Sequence, residues 1–557
     1  MALSVEGLSD PALRQNVQAH LPPAPPCGAG EARIEAWKRR ARKAATDGLR
    51  ALGYFQARQH WETQTPAAVA DAACGGLRLH IDPGPPVHLA RVAVEVQGEA
   101  ADDPLFMEDR ENQAPRVGEI LDQGAYTAFK GRLLDLSQRR GYFDARYLTH
   151  RVVVNEALTQ ADMALTLDSG MRYRFGPLTL HQDILDDAFL RRYAGIEAGA
   201  PFDADQLTRA SQRLAASGYF ADARVRQRRE AIEDGAVPID IALEPRKRMA
   251  YDFRAGFGTD TGARLRADVE RRWVNRQGHV WNAGLQLAQR KQTLETRYGI
   301  PMHDPLTERV DLFAKLQREE NDSLLSTNAR AGAQYTRDYR GWKATVFNEF
   351  LFDRSQVVGE DQALSARFLL FGARASRREA NDPIFPTRGW RLFAEVKGAQ
   401  EALLSSTSLI QASVSAKALM SLGEGRLIGR ADAGTTWARD FSLLPKTLRF
   451  FAGGDNSVRG YAFESLGPED AQGKVIGGKH LLVVSAEYEY PLYQNWLGAA
   501  FIDGGNAFDT WNTGMKFGAG VGVRFKSPIG LVKIDLAWPL GENREFPRLH
   551  LGVGGDL

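Results

Sequence analysis

Cysteine is almost missing: Cys27 and Cys74 are the pair present in 557 residues, both within the first eighty. A disulfide scaffold is therefore excluded, and with no Cys-x-x-Cys or Cys/His cluster a metal site has no support. In an oxidising compartment the two close one disulfide; otherwise they are two buried thiols, and the sequence leaves both readings open. Long apolar runs are absent as well. No stretch approaches the roughly 18 to 20 apolar residues of a membrane helix, and the mean hydropathy is negative. That excludes a helical membrane protein but not a β-barrel, whose strands hide half their residues from lipid. Charge of one sign is lacking: 71 Lys and Arg face 69 Asp and Glu, interspersed, which argues against a nucleic-acid or polybasic membrane-surface protein. The opening MALSVEGLSDPALRQ shows no basic stretch followed by an apolar one, so an exported form of this chain is expected to be a mature sequence.

Catalytic patterns are missing too. There is no G-x-S-x-G elbow, and the ten histidines show no ligand spacing. Gly256-Phe257-Gly258 and Val521-Gly522-Val523 open no helix and so form no phosphate loop. We expect no enzymatic chemistry, no metal and no cofactor.

What is present begins with a repeat. Gly-Tyr-Phe recurs at Gly53-Tyr54-Phe55, Gly141-Tyr142-Phe143 and Gly218-Tyr219-Phe220, a spacing that suggests three related units. Each copy ends a helical pattern: Ile34, Trp37, Ala41, Ala45, Leu49 and Leu52; then Tyr126, Phe129, Leu133 and Leu136; then Leu207, Ala210 and Leu214. Intervals of three and four place these residues on one helix face, and the glycine supplies the left-handed stop. Alternating strands follow at 77–81, 163–167 and 238–243, and the next unit opens with another, 87–96 and 172–180. Asp10-Pro11 suits the start of the first helix. The order strand, helix, helix, strand, strand thus occurs three times, and each sheet leaves an edge open to β-augmentation by an extended partner.

From about Met249 the period becomes two. Leu265, Ala267 and Val269 alternate with Arg264, Arg266, Asp268 and Glu270; Val484, Ala486, Tyr488 and Tyr490 with Ser485, Glu487 and Glu489; Val521, Val523 and Phe525 with Arg524 and Lys526; Val532, Ile534, Leu536 and Trp538 with Lys533 and Asp535. With Trp and Tyr near the strand ends, this is the pattern of lipid outside and water inside. Closure of the sheet is then obligatory, because hydrocarbon offers no partner to backbone groups.

Within this half lies RFFAGGDNSVRGYAFESLGP, Arg449 to Pro468, where Gly453, Gly454, Asp455, Val458, Arg459, Gly460 and Tyr461 carry one cation and one aromatic on a sharply bending backbone. The string resembles the signature loop of the Omp85 superfamily, the repeated units resemble POTRA domains, and three of them before the barrel resemble the TamA branch. Asp382 to Trp390 is similar to a turn midway through such barrels. The resemblance implies three α+β POTRA domains, 1–83, 84–170 and 171–247, followed over 248–557 by a transmembrane antiparallel β-barrel of about sixteen strands at about 9 to 11 residues per crossing.

It further implies a loop folded into the lumen, with Arg459 held by Asp503 on a late strand; Glu487 and Glu489 are lumen-facing alternatives, since a lone buried cation is costly. Tyr461 is expected against the wall beside Gly504 and Gly505. The first strand (Tyr251, Phe253, Gly256) must meet the last (Leu549 to Leu557). There Leu551, Gly552, Gly554 and Gly555 are poor ladder material, so a weak lateral gate is expected. The last strand does not finish in the usual aromatic.

The resemblance implies localisation in the outer membrane of a Gram-negative bacterium, with periplasmic POTRA domains. It implies a factor that inserts or translocates unfolded outer-membrane proteins, autotransporters especially, with an inner-membrane-anchored TamB-like partner. A conduit for lipid or for a two-partner-secretion exoprotein, and a structural scaffold, are the alternatives.

Overall fold

The computed structural model describes residues 1–64, 75–260, 262–359, 362–527, 530–541 and 546–554. Two compact units emerge. One comprises Met1–His181, Gly195–Ser211 and Arg224–Ala242; the other comprises Gln182–Ala194, Gln212–Ala223 and Leu243–Leu557. The third module is therefore shared between them.

Three modules repeat one order: β1 (Ala2–Glu6), α1 (Pro11–His20), α2 (Glu31–Ala51), β2 (Arg58–Gln64) and β3 (Gly76–Asp82); β4 (His88–Gln97), α3 (Pro104–Gln113), α4 (Gln123–Arg140), β5 (Arg146–Val154) and β6 (Gln160–Asp168); β7 (Arg174–His181), α5 (Asp187–Ala194), α6 (Ala204–Ala216), β8 (Phe220–Gln227) and β9 (Ala236–Pro245). The last strand of each lies in the middle of its sheet, parallel to the first strand. Asp10, as expected, caps α1 by accepting from the Ala12 N–H. The periodic residues Trp37, Ala41, Ala45, Leu49, Phe129, Leu133, Leu136, Leu207, Ala210 and Leu214 are buried. Cys27 is disulfide-bonded; Cys74 lies outside the described residues.

The repeated glycines all have positive φ, +88° at Gly53, +86° at Gly141 and +83° at Gly218. The tripeptide does more than stop a helix. In the second copy Tyr142 joins its own module's core, while Phe143 stacks on Phe202 and Tyr173 at 5.0 and 5.2 Å and lies under the Arg229 guanidinium at 4.0 Å. In the first copy Phe55 packs against Val87, Leu121 and Met163 of the second module. In these two copies Tyr belongs to its own module and Phe to the following one, so each is a joint; in the third the roles change, and it is the Tyr that reaches onward. The third Tyr donates its hydroxyl to the carbonyl of Gly278, in the turn after the second barrel strand. Beside it Asp186 pairs with Arg276 and Arg213 with Asp304, both at 3.0 Å.

The second unit is built on a sixteen-stranded antiparallel sheet in sequence order: β10 (Met249–Gly258), β11 (Gly262–Arg271), the strands β12 to β20 between Val280 and Ala438, β21 (His480–Tyr493), β22 (Trp496–Phe508), β23 (Lys516–Ser527), β24 (Gly530–Leu540) and β25 (Arg548–Gly554). Its outward residues, among them Leu265, Val484, Val521, Ile534 and Leu536, are exposed although apolar, which suits a lipid-facing wall. Tyr339, Tyr493 and Trp496 mark the end where β10 begins (the entry end); Trp437, Trp511 and Trp538 mark the far end. The turn 381–388 is an Asx-braced reversal: Asn381 accepts from Thr387 and Arg388, and Asp382 from Ile384 and Phe385.

Candidate functional site

Between β20 and β21 the chain makes a long loop, 439–479, which turns into the barrel. Its base is fixed first by burial. Leu444 and Leu448 pack with Leu351, Phe368 and Leu370 on the inner wall, and Thr447 donates to the wholly buried Asp353 at 2.7 Å. Lys446 pairs with Glu464 at 3.0 Å, and Arg449 donates to the carbonyls of Ser442, Leu444 and Ile476, tying one limb to the other. At Gly453, Gly454 and Gly460 φ is +98°, +104° and +97°. A side chain at Gly460 would also meet the backbone of Trp538 and Pro539 at about 2.9 Å. Only glycine passes so close to the wall.

This backbone delivers Val458 and Arg459 to the inner surface of β21 to β24. Arg459 donates from Nε to Asp503 Oδ2 at 2.7 Å and from a terminal nitrogen to Asp503 Oδ1 at 2.9 Å, a bidentate pair. The other terminal nitrogen reaches Glu487 at 2.7 Å and Asp535 at 3.2 Å. The guanidinium lies over the Phe501 ring at 3.3 Å, and the Arg459 N–H also donates to Asp503 at 3.0 Å. A second arginine shares the acids: the buried Arg524 binds Glu487 at 2.6 Å, Glu489 at 3.2 Å, and Asp535. Arg426 donates to Glu489 at 2.6 Å. The result is an alternating buried lattice of arginines and carboxylates, in which each carboxylate meets at least one guanidinium; such burial is tolerable only when fully paired.

Both Asp503 and Glu487 thus hold Arg459, while Glu489 serves Arg524 and Arg426 instead. Tyr461 differs from expectation. Val458 fills the space beside Gly505, Phe517 faces Gly504, and the Arg459 carbonyl lies against Gly518, while Tyr461 packs with Ala452, Val458, Leu466 and Val483. The smaller Val458 side chain fits the glycine-lined wall that the turn at Gly460 brings it to. Sequence reasoning did not assign Arg524, Asp535, His550, Phe501 or Asp260 to the site. The inward parity of Arg524 and Asp535 on β23 and β24 was a usable signal for two of them; Asp260 and His550 carried none.

The seam is the remaining feature. Among the described residues no ladder joins β25 to β10. The edges meet through the Thr259 N–H and the Leu551 carbonyl at 3.4 Å, and the Leu551 N–H and Thr259 Oγ1 at 3.2 Å. Tyr251 and Phe253 of β10 are 65 and 78 % exposed. A side chain at Gly256 would meet Arg264, whereas one at Gly552 would meet open space. Gly554 ends the β25 ladder opposite Leu531, and Gly555 lies outside the described residues. Asp455, Asp260 and His550 gather here with donor atoms within 4.8 Å of one another. They are the described grouping with the donor types for a cation, but both imidazole nitrogens are engaged: Nδ1 with Asp455 at 2.6 Å and Nε2 with the Gly460 N–H at 3.0 Å. Burial, then the Asp455 charge, pushes the Asp260 carboxyl up to about 7, while Asp455 is held below the usual carboxylate range despite its burial, first by the His550 hydrogen bond.

Fold and site together define a POTRA-bearing β-barrel with an in-turned Val-Arg-Gly-Tyr loop. The Omp85 superfamily domain matches residues 260–556, the first POTRA domain of TamA matches 2–83, and a POTRA family described as a surface antigen variable number repeat matches 173–246. The chain belongs to the Omp85 superfamily, and its first module is of the TamA type. The outer membrane protein assembly factor BamA of Neisseria meningitidis is 23% identical over 502 residues, covering 77% of this chain and 62% of that protein. BamA of Nitratidesulfovibrio vulgaris is 31% identical over 128 residues, 21% of this chain and 16% of that one. The chain thus spans less than two thirds of the curated relatives it matches. The crystal structure of Haemophilus ducreyi BamA lacking POTRA domains 1–3 superposes with a TM-score of 0.71 at 16% identity, covering 84% of this chain and 99% of that one. An apolar-walled barrel of this superfamily is consistent with a bacterial outer membrane.

Proposed function

We propose that this protein assembles or translocates outer-membrane proteins, autotransporters among them, through the β10–β25 seam, with no catalytic chemistry of its own. The observation that carries this reading is the seam: two edges meet through one backbone hydrogen bond and one to the Thr259 hydroxyl, beside a loop locked to the wall by buried ion pairs. Unpaired edges template an extended strand, and the relatives named above are assembly factors by name.

In this reading the modules lie in the periplasm. The open edge of β5, where Leu148 and Val153 are exposed, receives either substrate or an inner-membrane-anchored, TamB-like partner. The test is a disulfide locking β10 to β25 in outer membranes: assembly of a reporter autotransporter stops in the locked protein and resumes on reduction. Unchanged assembly in the locked barrel removes the reading, and continued lipid transfer in place of protein assembly would assign the conduit to lipid.

A further inference from the structure

We propose that Asp455 is a clasp making two events one: docking of the loop tip in the lumen and closure of the seam at the far end. Three elements converge on it. From the first hairpin, Thr259 Oγ1 donates to Asp455 Oδ1 at 2.6 Å, and Asp260 accepts the Asp455 N–H at 2.8 Å. From the last strand, His550 Nδ1 meets the same Asp455 oxygen at 2.6 Å. The imidazole then reaches back to the loop: its Nε2 accepts the Gly460 N–H at 3.0 Å, one residue past the arginine held in the lumen. That bond fixes the tautomer. Nε2 is the acceptor, Nδ1 carries the proton, and the ring donates to the carboxylate.

Each strand is thus bonded to the loop more closely than to its neighbour, for the direct seam bonds measure 3.4 and 3.2 Å. Withdraw the loop and Thr259, Asp260 and His550 lose partners; open the seam and Asp455 and the buried Gly460 N–H lose theirs. Thr259 is exposed, so water can replace its bond, but His550 and the Gly460 N–H are buried; unmet buried polar groups cost more than the bonds are worth, so the loop tip and the last strand do not separate alone, and coupling of this kind is reciprocal. The clasp stands on barrel geometry and not on the proposed function: assembly surviving a locked seam would end that reading and leave the clasp intact.

The test uses full-length protein in outer membranes with both native cysteines changed to serine. In the register set by Thr259 and Leu551, Phe257 stands opposite Val553, so F257C/V553C cross-linking reports the seam, and labelling of N456C reports the loop. Asp455→Ala is expected to slow cross-linking and speed labelling, each by about tenfold or more. Asp353→Asn, at the loop base, should leave the seam rate unchanged. Asp455→Ala loosening the loop with an unaltered seam overturns the proposal. Thr259→Val removes the first hairpin's side-chain bond to Asp455 and covers the case in which the Asp455 variant loses its heat-modifiable barrel: it should raise N456C labelling and slow F257C/V553C cross-linking together, and a change in one without the other, or in neither, overturns the clasp.

Discussion

Replacing Arg459 with alanine is expected to release the loop tip while the barrel stays folded. The arginine side chain is 8% exposed and Asp503 is wholly buried. Removing the guanidinium leaves Asp503 with the Ser485 hydroxyl and the backbone N–H of residue 459 in place of its bidentate guanidinium partner, while Glu487 and Asp535 keep Arg524. One carboxylate is therefore stranded, and breaking one side of a buried pair costs about 3 to 5 kcal/mol. At 1.4 kcal/mol per tenfold, the docked state weakens by about two to three orders of magnitude. The base anchors at Thr447 and Lys446 are untouched, and the sixteen-stranded ladder does not depend on Arg459. Hydrogen exchange at residues 455–462 should accelerate by that factor while the strands retain protection and the heat-modifiable gel shift persists. The double variant Arg459→Ala/Asp503→Asn should recover part of the loss, because the stranded charge is gone. Unchanged exchange in the single variant, or no recovery in the double, would refute the account of buried pairing.

In the second module, Asp103→Ala removes a helix cap and the buried partner of Arg140 and Tyr142, both at 3.2 Å. A loss of about 2 to 3 kcal/mol in urea unfolding is expected, lessened because Arg140 retains Asp203. Gly141→Ala forces a left-handed residue to carry a Cβ 2.7 Å from Phe202 and should cost about 1 to 3 kcal/mol. Gly131→Ala, in open space on α4, should instead stabilise by about 0.5 to 1 kcal/mol in the same assay. The Asp260 carboxyl, raised to about 7, keeps in the folded protein a proton that the unfolded chain has released. Its contribution to stability therefore falls as pH rises from about 4 to about 7. Labelling of N456C, divided at each pH by the rate for the same thiol in the denatured protein, should be slower at pH 5.5 than at pH 8, and Asp260→Asn should flatten that corrected dependence.

Periodicity is what the sequence by itself determined. The intervals of three and four in 34–52, 126–136 and 207–214, the glycine after each, and the alternation from Leu265 to Trp538 record which faces are covered, and covering is a local property of helix and strand geometry. Glu487 was legible for the same reason, through its inward parity, whereas Asp503 was named through the resemblance of the loop to that of its superfamily. Only the tertiary structure decided that Phe143 belongs to the module after it and that Val458 rather than Tyr461 fills the space beside Gly505. It alone brought Thr259, Asp455 and His550 together across nearly three hundred residues. Hydrogen bonds and ion pairs between distant elements leave no period in the chain; they arise when a sheet closes on itself and a loop is drawn inside, where every buried charge must find its opposite.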